Sequence, residues 1–296
     1  MTAVTHEPAQ QPTQSPRRRT SRPRWRAWGT VIPTLLLLLV VGFVTVGPLL
    51  WRTDPRAQVL TTRLQGPTVN RPLGSDQLGR DLLSRVLHGG QLSLGVSLVV
   101  TLVSAAIGIA LGSIAATRGG FVDRVISRLV DILLAFPFLL LALVVAGLSG
   151  GGVNGIVLAL GLLGWGTYAR VARVETARVR TYPFIDATYV VGASPLRTFF
   201  VHILPNAAPA LIVLAVARYG QTILTIAGLS FLGVGVRPPT PEWGAMLSEG
   251  LPFLERAPHV LLAPGLAVTI SCLIVSLAAE AWRRILDPTH RTGDGP

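Results

Sequence analysis

The chain has 296 residues, of which 50% are apolar and only 14% are charged, and its mean hydropathy is +0.56. Soluble domains are about 25% charged, so this composition excludes an ordinary water-soluble protein and indicates that lipid surrounds most of the chain. The net charge of +12 comes from 26 Arg and no Lys; because most of these Arg flank apolar segments, they are typical of membrane topology and not of a nucleic-acid-binding face.

The amino-terminal segment 1–28 is rich in Pro, Gln, Ser, Thr and Arg. Such a composition cannot bury a core, so we predict a disordered cytoplasmic tail. Residues 29–51 are apolar over about the 20 residues that a bilayer requires. This run is too long for a signal peptide, and no small-residue cleavage site follows it. We therefore predict that 29–92 comprises an uncleaved first transmembrane helix and an external loop.

The end of this loop carries opposite charges at helical spacing. Asp76 precedes Arg80 by four residues, and Asp81 precedes Arg85 by the same interval. Pairs at this spacing stabilise the surface of a helix. The pattern predicts a short surface helix before the second span, with a structural role.

Five further apolar segments are long enough, or nearly so, to cross a membrane as helices. They lie at about 93–115, 129–148, 153–169, 207–230 and 260–281. We predict an all-α integral membrane protein with six transmembrane helices, in which 93–288 forms a core of five helices and 289–296 a cytoplasmic tail. With both termini inside, the cytoplasmic segments hold 17 Arg and the external ones 8, which is the bias expected for this orientation.

The third span contains a charge and a proline. Asp131 lies one turn after Arg128, which favours a local ion pair with a structural role. Pro137 predicts a kink, because proline removes a helix hydrogen bond. Broken helices often line transport pathways, so Pro137 is a candidate pathway residue.

The polar segment 170–206 has the punctuation of two short helices. Pro183 is suited to the first position of a helix that Gly192 would end. Ser194 offers an N-cap and Pro195 a second start, and Pro205 is expected to stop this second helix. Its apolar residues recur at helical spacing: Leu196, Phe199, Phe200 and Ile203. Two interpretations remain open, a helix pair lying on lipid headgroups and a docking element for a cytoplasmic partner.

The first of these helices carries a recognisable motif. Asp186, Ala187, Thr188 and Gly192 read D-A-T-x-x-x-G, which resembles the E-A-A-x-x-x-G signature of the membrane subunits of ABC importers. The resemblance implies that the loop forms coupling helices, which sit in a cleft of a cytoplasmic ATPase and pass its closure to the spans. The residues expected to form the ATPase-coupling loop are Asp186, Ala187, Thr188, Gly192, Ser194, Pro195, Leu204 and Pro205.

Three longer stretches extend the resemblance over residues 73–288. They are LGSDQLGRDLLSRVLHGG (73–90), VDILLAFPFLLLAL (130–143) and LSFLGVGVRPPTPEWGAML (229–247). They are similar to the C-type ABC-transporter permeases of the dipeptide, oligopeptide and nickel importers. The resemblance implies a type I ABC importer permease fold and a translocation subunit for dipeptides, oligopeptides or related small solutes in the cell membrane. The implied partners are a second permease subunit, two cytoplasmic ATPase subunits and an extracytoplasmic substrate-binding protein.

Two positions of the fifth span bear on the solute. Arg218 lies near its middle, where a charge costs at least about 2.5 kcal/mol and needs a partner. A pathway role near a substrate carboxylate and a structural ion pair both remain open for Arg218. At position 226 this chain has Ile226, where many relatives of this permease type carry Glu, so its solute can differ from theirs. In the last span, Glu280 is spaced to pair locally with Arg283 and Arg284.

Several kinds of chemistry are unsupported. A P-loop requires G-x-x-x-x-G-K-[ST], and a chain without Lys cannot carry it. The five His are scattered, and the single Cys272 excludes an internal disulfide. We therefore expect no catalytic residue, cofactor or metal, with ATP hydrolysis in a separate subunit. The alternative is a self-sufficient secondary transporter or channel, which would be expected to show intramembrane ion-coupling acids or inverted repeats.

Overall fold

The computed structural model describes residues 25–286, with side chains from residue 29 onward, so most of the predicted tails at 1–28 and 289–296 lies outside the described residues. Apart from short turns and two isolated β-bridges, the regular structure in this range is helical, as the all-α prediction requires. The helices are α1 Trp25–Leu50, α2 Leu82–Arg118, α3 Gly120–Ala135, α4 Phe138–Leu148, α5 Gly152–Arg180, α6 Pro183–Val190, α7 Pro195–Thr198, α8 Leu204–Phe231, α9 Trp243–Gly250 and α10 Pro258–Leu286.

Five helices in the described range are long and apolar enough to cross a membrane, and the number is six if the bent pair α3 and α4 forms one broken span. The bend between α3 and α4 is 93°. It falls at Phe136 and Pro137, where the backbone is extended. Because Pro137 has no N–H to donate, the helix ends before it, and the predicted kink is confirmed.

The most extensive helix–helix contact joins α2 to α5, which run in the same direction. A Cβ placed on Gly108 would lie 2.5 Å from the carbonyl oxygen of Trp165, and one on Gly112 would lie 2.2 Å from that of Ala169. Only glycine permits this approach of the two backbones. In lipid, where apolar surface gains nothing from burial, such close packing of small residues is the main source of helix association.

The remaining spans pack around this pair. α8 meets α10 where the Cys272 thiol donates to the carbonyl oxygen of Gly220 over 3.4 Å. α1 meets α10 where the Trp282 indole donates to the Thr34 hydroxyl over 3.0 Å. α5 spans the bundle from end to end. It begins near α9, where the Gly152 amide donates to the Val234 carbonyl oxygen, and it ends near α6. These are called the α9 end and the α6 end.

Residues 75–81 at the α9 end form turns, and α2 begins at Leu82, eleven positions before the predicted start of its span. The predicted surface helix is therefore wrong. Asp81 is the N-cap of α2, accepting from the Ser84 amide and from the Trp51 indole at 2.8 Å each. Asp76 and Arg80 do pair, at 2.5 Å, but across a turn. The four-residue spacing of Asp76 and Arg80 suggested a helix, but it also allows the two side chains to pair across a turn.

A buried ionic cluster of Asp76, Arg80, Arg85 and Glu249 fastens these turns to α9. One carboxylate oxygen of Glu249 accepts from the Arg80 guanidinium at 2.8 Å and from that of Arg85 at 3.0 Å. Asp76 lies 3.4 Å from the Arg85 Nε atom. Two buried cations thus face two carboxylates, of which Asp76 is buried and Glu249 is partly exposed. The cluster is neutral as a whole, and removal of one carboxylate leaves a buried positive charge uncompensated.

Two further predictions are corrected by the fold. Pro205 does not stop a helix: after α7, a π-helical turn at Phe199–Ile203 leads directly into α8, and Pro205 lies in the first turn of that helix. Proline is tolerated in a first turn because its missing N–H would have no partner there. Asp131 pairs with Arg170 of α5, at 2.7 Å, and not with Arg128. The expected local pairing of Glu280 with Arg284 is confirmed, at 3.2 Å.

Replacing Glu249 by Ala is expected to destabilise the protein by about 3–5 kcal/mol, because it strands buried arginines. For a chain of this size the unfolding midpoint would fall by roughly 10 °C. The measurement is thermal unfolding of the purified protein in detergent. Glu280→Ala is the matched control, since Glu280 pairs at an exposed site, where the loss is below about 1 kcal/mol. Equal effects of the two substitutions would contradict a cluster that holds the α9 end together.

Candidate functional site

The turn after α6 is a Schellman motif, which explains why the helix ends where it does. Gly192 has φ +81°, in the left-handed region that favours glycine. Its amide donates to Tyr189, and the next amide, of Ala193, donates to Thr188, at 3.0 Å each. These two bonds satisfy the last carbonyls of α6. The predicted helix from Pro183 and its end at Gly192 are confirmed.

The second short helix begins as predicted. The Ser194 hydroxyl accepts from the Arg197 amide over 3.3 Å, and Pro195 occupies the first position of α7. The Thr188 hydroxyl of α6 lies 3.3 Å from that of Thr198 in α7, which joins the two helices. The segment Pro183–Ile203 is called the α6–α7 loop.

The inner face of the α6–α7 loop packs on two long helices. Ile185 and Ile203, both buried, form a cluster with residues of α5 and α8, and Leu204 is packed against it. The other members of the cluster are Ala172, Val179, Ala207 and Leu211. Any force on the loop therefore reaches α5 and α8 through close side-chain contact.

The outer face of the same loop is apolar and uncovered. Val190 is 87% exposed, Val191 82% and Leu196 72%. Asp186 and Ala187 are exposed beside them, and Asp186 makes no ion pair within residues 29–286. Contiguous exposed apolar residues beside a charge are typical of a protein or membrane contact. The predicted coupling residues from Asp186 to Pro195 thus lie in the α6–α7 loop, and Leu204 and Pro205 follow in the first turn of α8, where Pro205 is exposed.

A cavity of about 410 Å³ lies near the middle of the spans, bounded by α2, α5, α8 and the broken pair α3 and α4. Pro137 separates two of its lining residues, Phe136 and Phe138. The polar lining residues are Thr101, Ser104, Thr167, Tyr168, Arg218, Gln221, Thr222 and Thr225. No acidic side chain is among the described residues that line it, so Arg218 is its only charge.

Arg218 has polar partners in the cavity wall. One terminal nitrogen donates to the Gln221 side chain over 2.8 Å and the other to the Thr167 hydroxyl over 3.0 Å. In the described part of the chain, none of the ion pairs involves Arg218. Of the two interpretations that the sequence left open, a structural ion pair has no support from these residues.

Sequence reasoning missed Thr167 and Tyr168 as cavity residues, and it missed the ion pair between Asp123 and Arg173. Both features depend on the packing of α5 against elements distant in sequence. For the cavity, the available signal was the adjacent polar residues Thr167 and Tyr168 near the end of the mainly apolar span at 153–169. Ile226 is buried in a cluster with Leu160 and Leu229. It packs behind the cavity wall, since Leu160 lines the cavity and Ile226 does not.

The sequence was compared with known proteins. Residues 108–292 match the family described as "Binding-protein-dependent transport system inner membrane component". The chain is 39% identical over 224 residues to the glutathione transport system permease protein GsiD of Pectobacterium atrosepticum, covering 76% of this chain and 74% of the relative. It is 38% identical over 260 residues to the di/tripeptide transport system permease protein DppC of Pseudomonas aeruginosa, covering 86% of each.

The fold was compared with solved structures. A chain of the MetNI methionine ABC transporter in inward-facing form superimposes with a TM-score of 0.56 at 18% identity, covering 68% of this chain and 96% of that one. At this identity the likeness establishes the fold alone, and it agrees with an ABC importer permease fold.

Ile185→Ala is expected to loosen the α6–α7 loop by about 2–5 kcal/mol, because it empties a packed site between α5 and α8. Hydrogen exchange of the loop amides in the permease without its partners would report this as faster exchange. Val190→Ala, on the same helix but exposed, is the matched control and changes the opening free energy by no more than about 0.5 kcal/mol. Equal acceleration by both substitutions would contradict the packing role of Ile185.

Proposed function

The chain belongs to the family of binding-protein-dependent transport system inner membrane components, and on this basis we propose that it is the C-type translocation subunit of an ATP-driven importer of dipeptides or oligopeptides. The two relatives named for glutathione and for di/tripeptides support small peptides as the solute, since glutathione is itself a tripeptide. The geometry that carries the proposal is the α6–α7 loop, which is packed on two spans on one face and uncovered on the other.

We place the α6 end in the cytoplasm, and with it both termini. The segments assigned to that side hold 17 Arg against 8 on the other, and short basic segments remain on the cytoplasmic side of a membrane. The α9 end then faces outward, where a substrate-binding protein would deliver the solute. The location is the cell membrane, crossed several times.

The energy for transport comes from two separate ATPase subunits in this proposal, because a chain without Lys lacks the P-loop cation that binds phosphates. The exposed tip at Val190 and Val191 would sit in a cleft of one ATPase, with Asp186 facing the same partner. Closure of the ATPases would press Ile185 and Ile203 against α5 and α8. A second permease subunit would complete the pathway between the two copies of this arrangement.

The solute would pass along the cavity at mid-membrane depth. Arg218 lines this cavity, and the break at Pro137 falls between two of its lining residues, Phe136 and Phe138, which supports a pathway role for both candidates. Interrupted helices at this depth are a recurrent feature of transporter pathways, because their free backbone groups can line a polar cavity.

Gly192→Glu is expected to lower coupled transport by about tenfold while the spans stay inserted. A side chain at φ +81° costs about 1–2 kcal/mol, which corresponds to about tenfold weaker engagement of the ATPase. The measurement is peptide uptake together with ATPase co-purification from the assembled complex. Gly233→Glu is the matched control, because Gly233 has φ +87° and equally free space but lies at the α9 end.

The comparison separates backbone strain from docking. Loss of ATPase co-purification with Gly192→Glu and its retention with Gly233→Glu would support the loop as the docking element. Normal uptake and normal ATPase recovery with Gly192→Glu would count against that role.

A further inference from the structure

The cavity around Arg218 offers hydrogen-bond donors and no acid. Arg218 uses one N–H of each terminal nitrogen on Gln221 and Thr167, and the guanidinium has further N–H groups that remain free. Thr167 accepts from Arg218, and its own hydroxyl donates to none of the described residues. The hydroxyls of Thr222 and Thr225 are satisfied differently, since they donate to backbone carbonyls of their own helix.

Tyr168 adds an unsatisfied donor. Its side chain lines the same cavity, the residue is only 3% exposed, and its hydroxyl has no hydrogen-bond partner. A buried hydroxyl left without a partner is costly, and in a native protein such a group requires an explanation, for example a bound water or ion. The Tyr168 hydroxyl is enclosed in the cavity wall and remains available as a donor to an acceptor that enters the cavity.

A third feature favours negative charge at this place. α4 begins at Phe138, a lining residue, and its N-cap Pro137 provides no side-chain cap. The first amides of α4 thus lack intrahelical partners, and the positive end of the helix dipole lies at the cavity wall. Together with Arg218, it makes the cavity an anion-binding environment inside an apolar membrane.

We propose that this cavity is a carboxylate-binding subsite, in which Arg218, Tyr168 and Thr167 hold the free carboxylate of a passing peptide. The inference rests on the proposed function, which supplies the peptide, and deepens it by naming the group that is recognised. Hydrogen bonds to an ionised carboxylate are roughly twice as strong as those between neutral groups. The apolar lining at Leu133 and Leu134 accommodates the attached side chain.

The geometry favours a solute carboxylate over one from a neighbouring subunit. The cavity has room for more than an inserted side chain, at about 410 Å³. It also holds no acid that would bind the amino end of a peptide. A site that grips one end of the solute and leaves the other end free suits peptides of several lengths, and it suits brief binding during passage.

The test uses the complete complex in vesicles, with uptake of trialanine and of trialanine amide measured under saturation of the binding protein. The amide lacks the charge but keeps the shape of the solute. Arg218→Gln is expected to lower trialanine uptake by about tenfold and to leave the amide nearly unchanged. Tyr168→Phe removes only one oxygen and leaves the span folded. It is expected to lower the ratio of trialanine uptake to trialanine amide uptake by several-fold.

Tyr219→Phe is the matched control. Tyr219 is on α8, its hydroxyl donates to the Leu94 carbonyl over 3.1 Å, and it does not line the cavity. It should leave the ratio of the two uptake rates as in the wild type. Since all variants share one binding protein, any preference of that protein cancels from the comparison.

Each other outcome overturns the subsite. Equal loss of both peptides with Arg218→Gln would make Arg218 a structural residue. Loss of the second permease from the purified Arg218→Gln complex would assign the carboxylate to that subunit. An unchanged ratio of the two uptake rates in Tyr168→Phe, or an equal change in Tyr219→Phe, would contradict a subsite built from Arg218, Tyr168 and Thr167. Failure of the wild-type complex to carry either peptide would instead overturn the proposed function, and the subsite with it.

Discussion

The close approach of α2 and α5 is the constraint on which the rest of the structure depends. Gly108 and Gly112 let the backbone of α5 come within a distance at which any Cβ would collide with the carbonyl oxygens of Trp165 and Ala169. Lipid offers no hydrophobic reason for two apolar helices to associate, so this contact relies on packing and on a few hydrogen bonds. Among these, the Ser104 hydroxyl donates to Leu160 over 3.2 Å. The contact fixes both the depth and the rotation of α5.

That fixed helix joins the two candidate sites. Thr167 and Tyr168 stand in the same turn as Ala169 and face the cavity, whereas Ala172 and Val179, one to three turns later, contact the α6–α7 loop. α8 repeats the arrangement, with Ala207 and Leu211 under the loop and Arg218 in the cavity. A displacement of the loop therefore acts on both walls of the cavity at once. In the proposed function, this is the route by which ATP hydrolysis in another subunit changes the affinity of a site at mid-membrane depth.

The features predicted correctly from the sequence were those decided by local chemistry, and most of the failures have a non-local cause. Gly192 and Ser194 act within a few residues of themselves, so the turn and the cap followed from residue type, and the apolar runs gave the spans because lipid imposes their length. Arg85 was assigned to Asp81 by spacing, but its partners include Glu249, from a helix far along the chain. Asp131 likewise found Arg170. Pro205 was predicted to stop a helix, but proline is equally compatible with the first turn of a helix, which is where it lies. Tyr168 could be assigned to the cavity only from the packing of α2 against α5. The roles of the coupling residues stay predictions.

We propose that this chain is one translocation subunit within a larger ATP-driven importer. The most direct measurement is purification of the tagged chain from its native membrane in mild detergent, followed by mass spectrometry of the stoichiometric components. A second permease and two P-loop ATPase subunits are expected, with a peptide-binding protein associated on the outer side. Repeated recovery of this chain alone, active in transport when reconstituted without ATPases, would contradict it and establish a self-sufficient transporter.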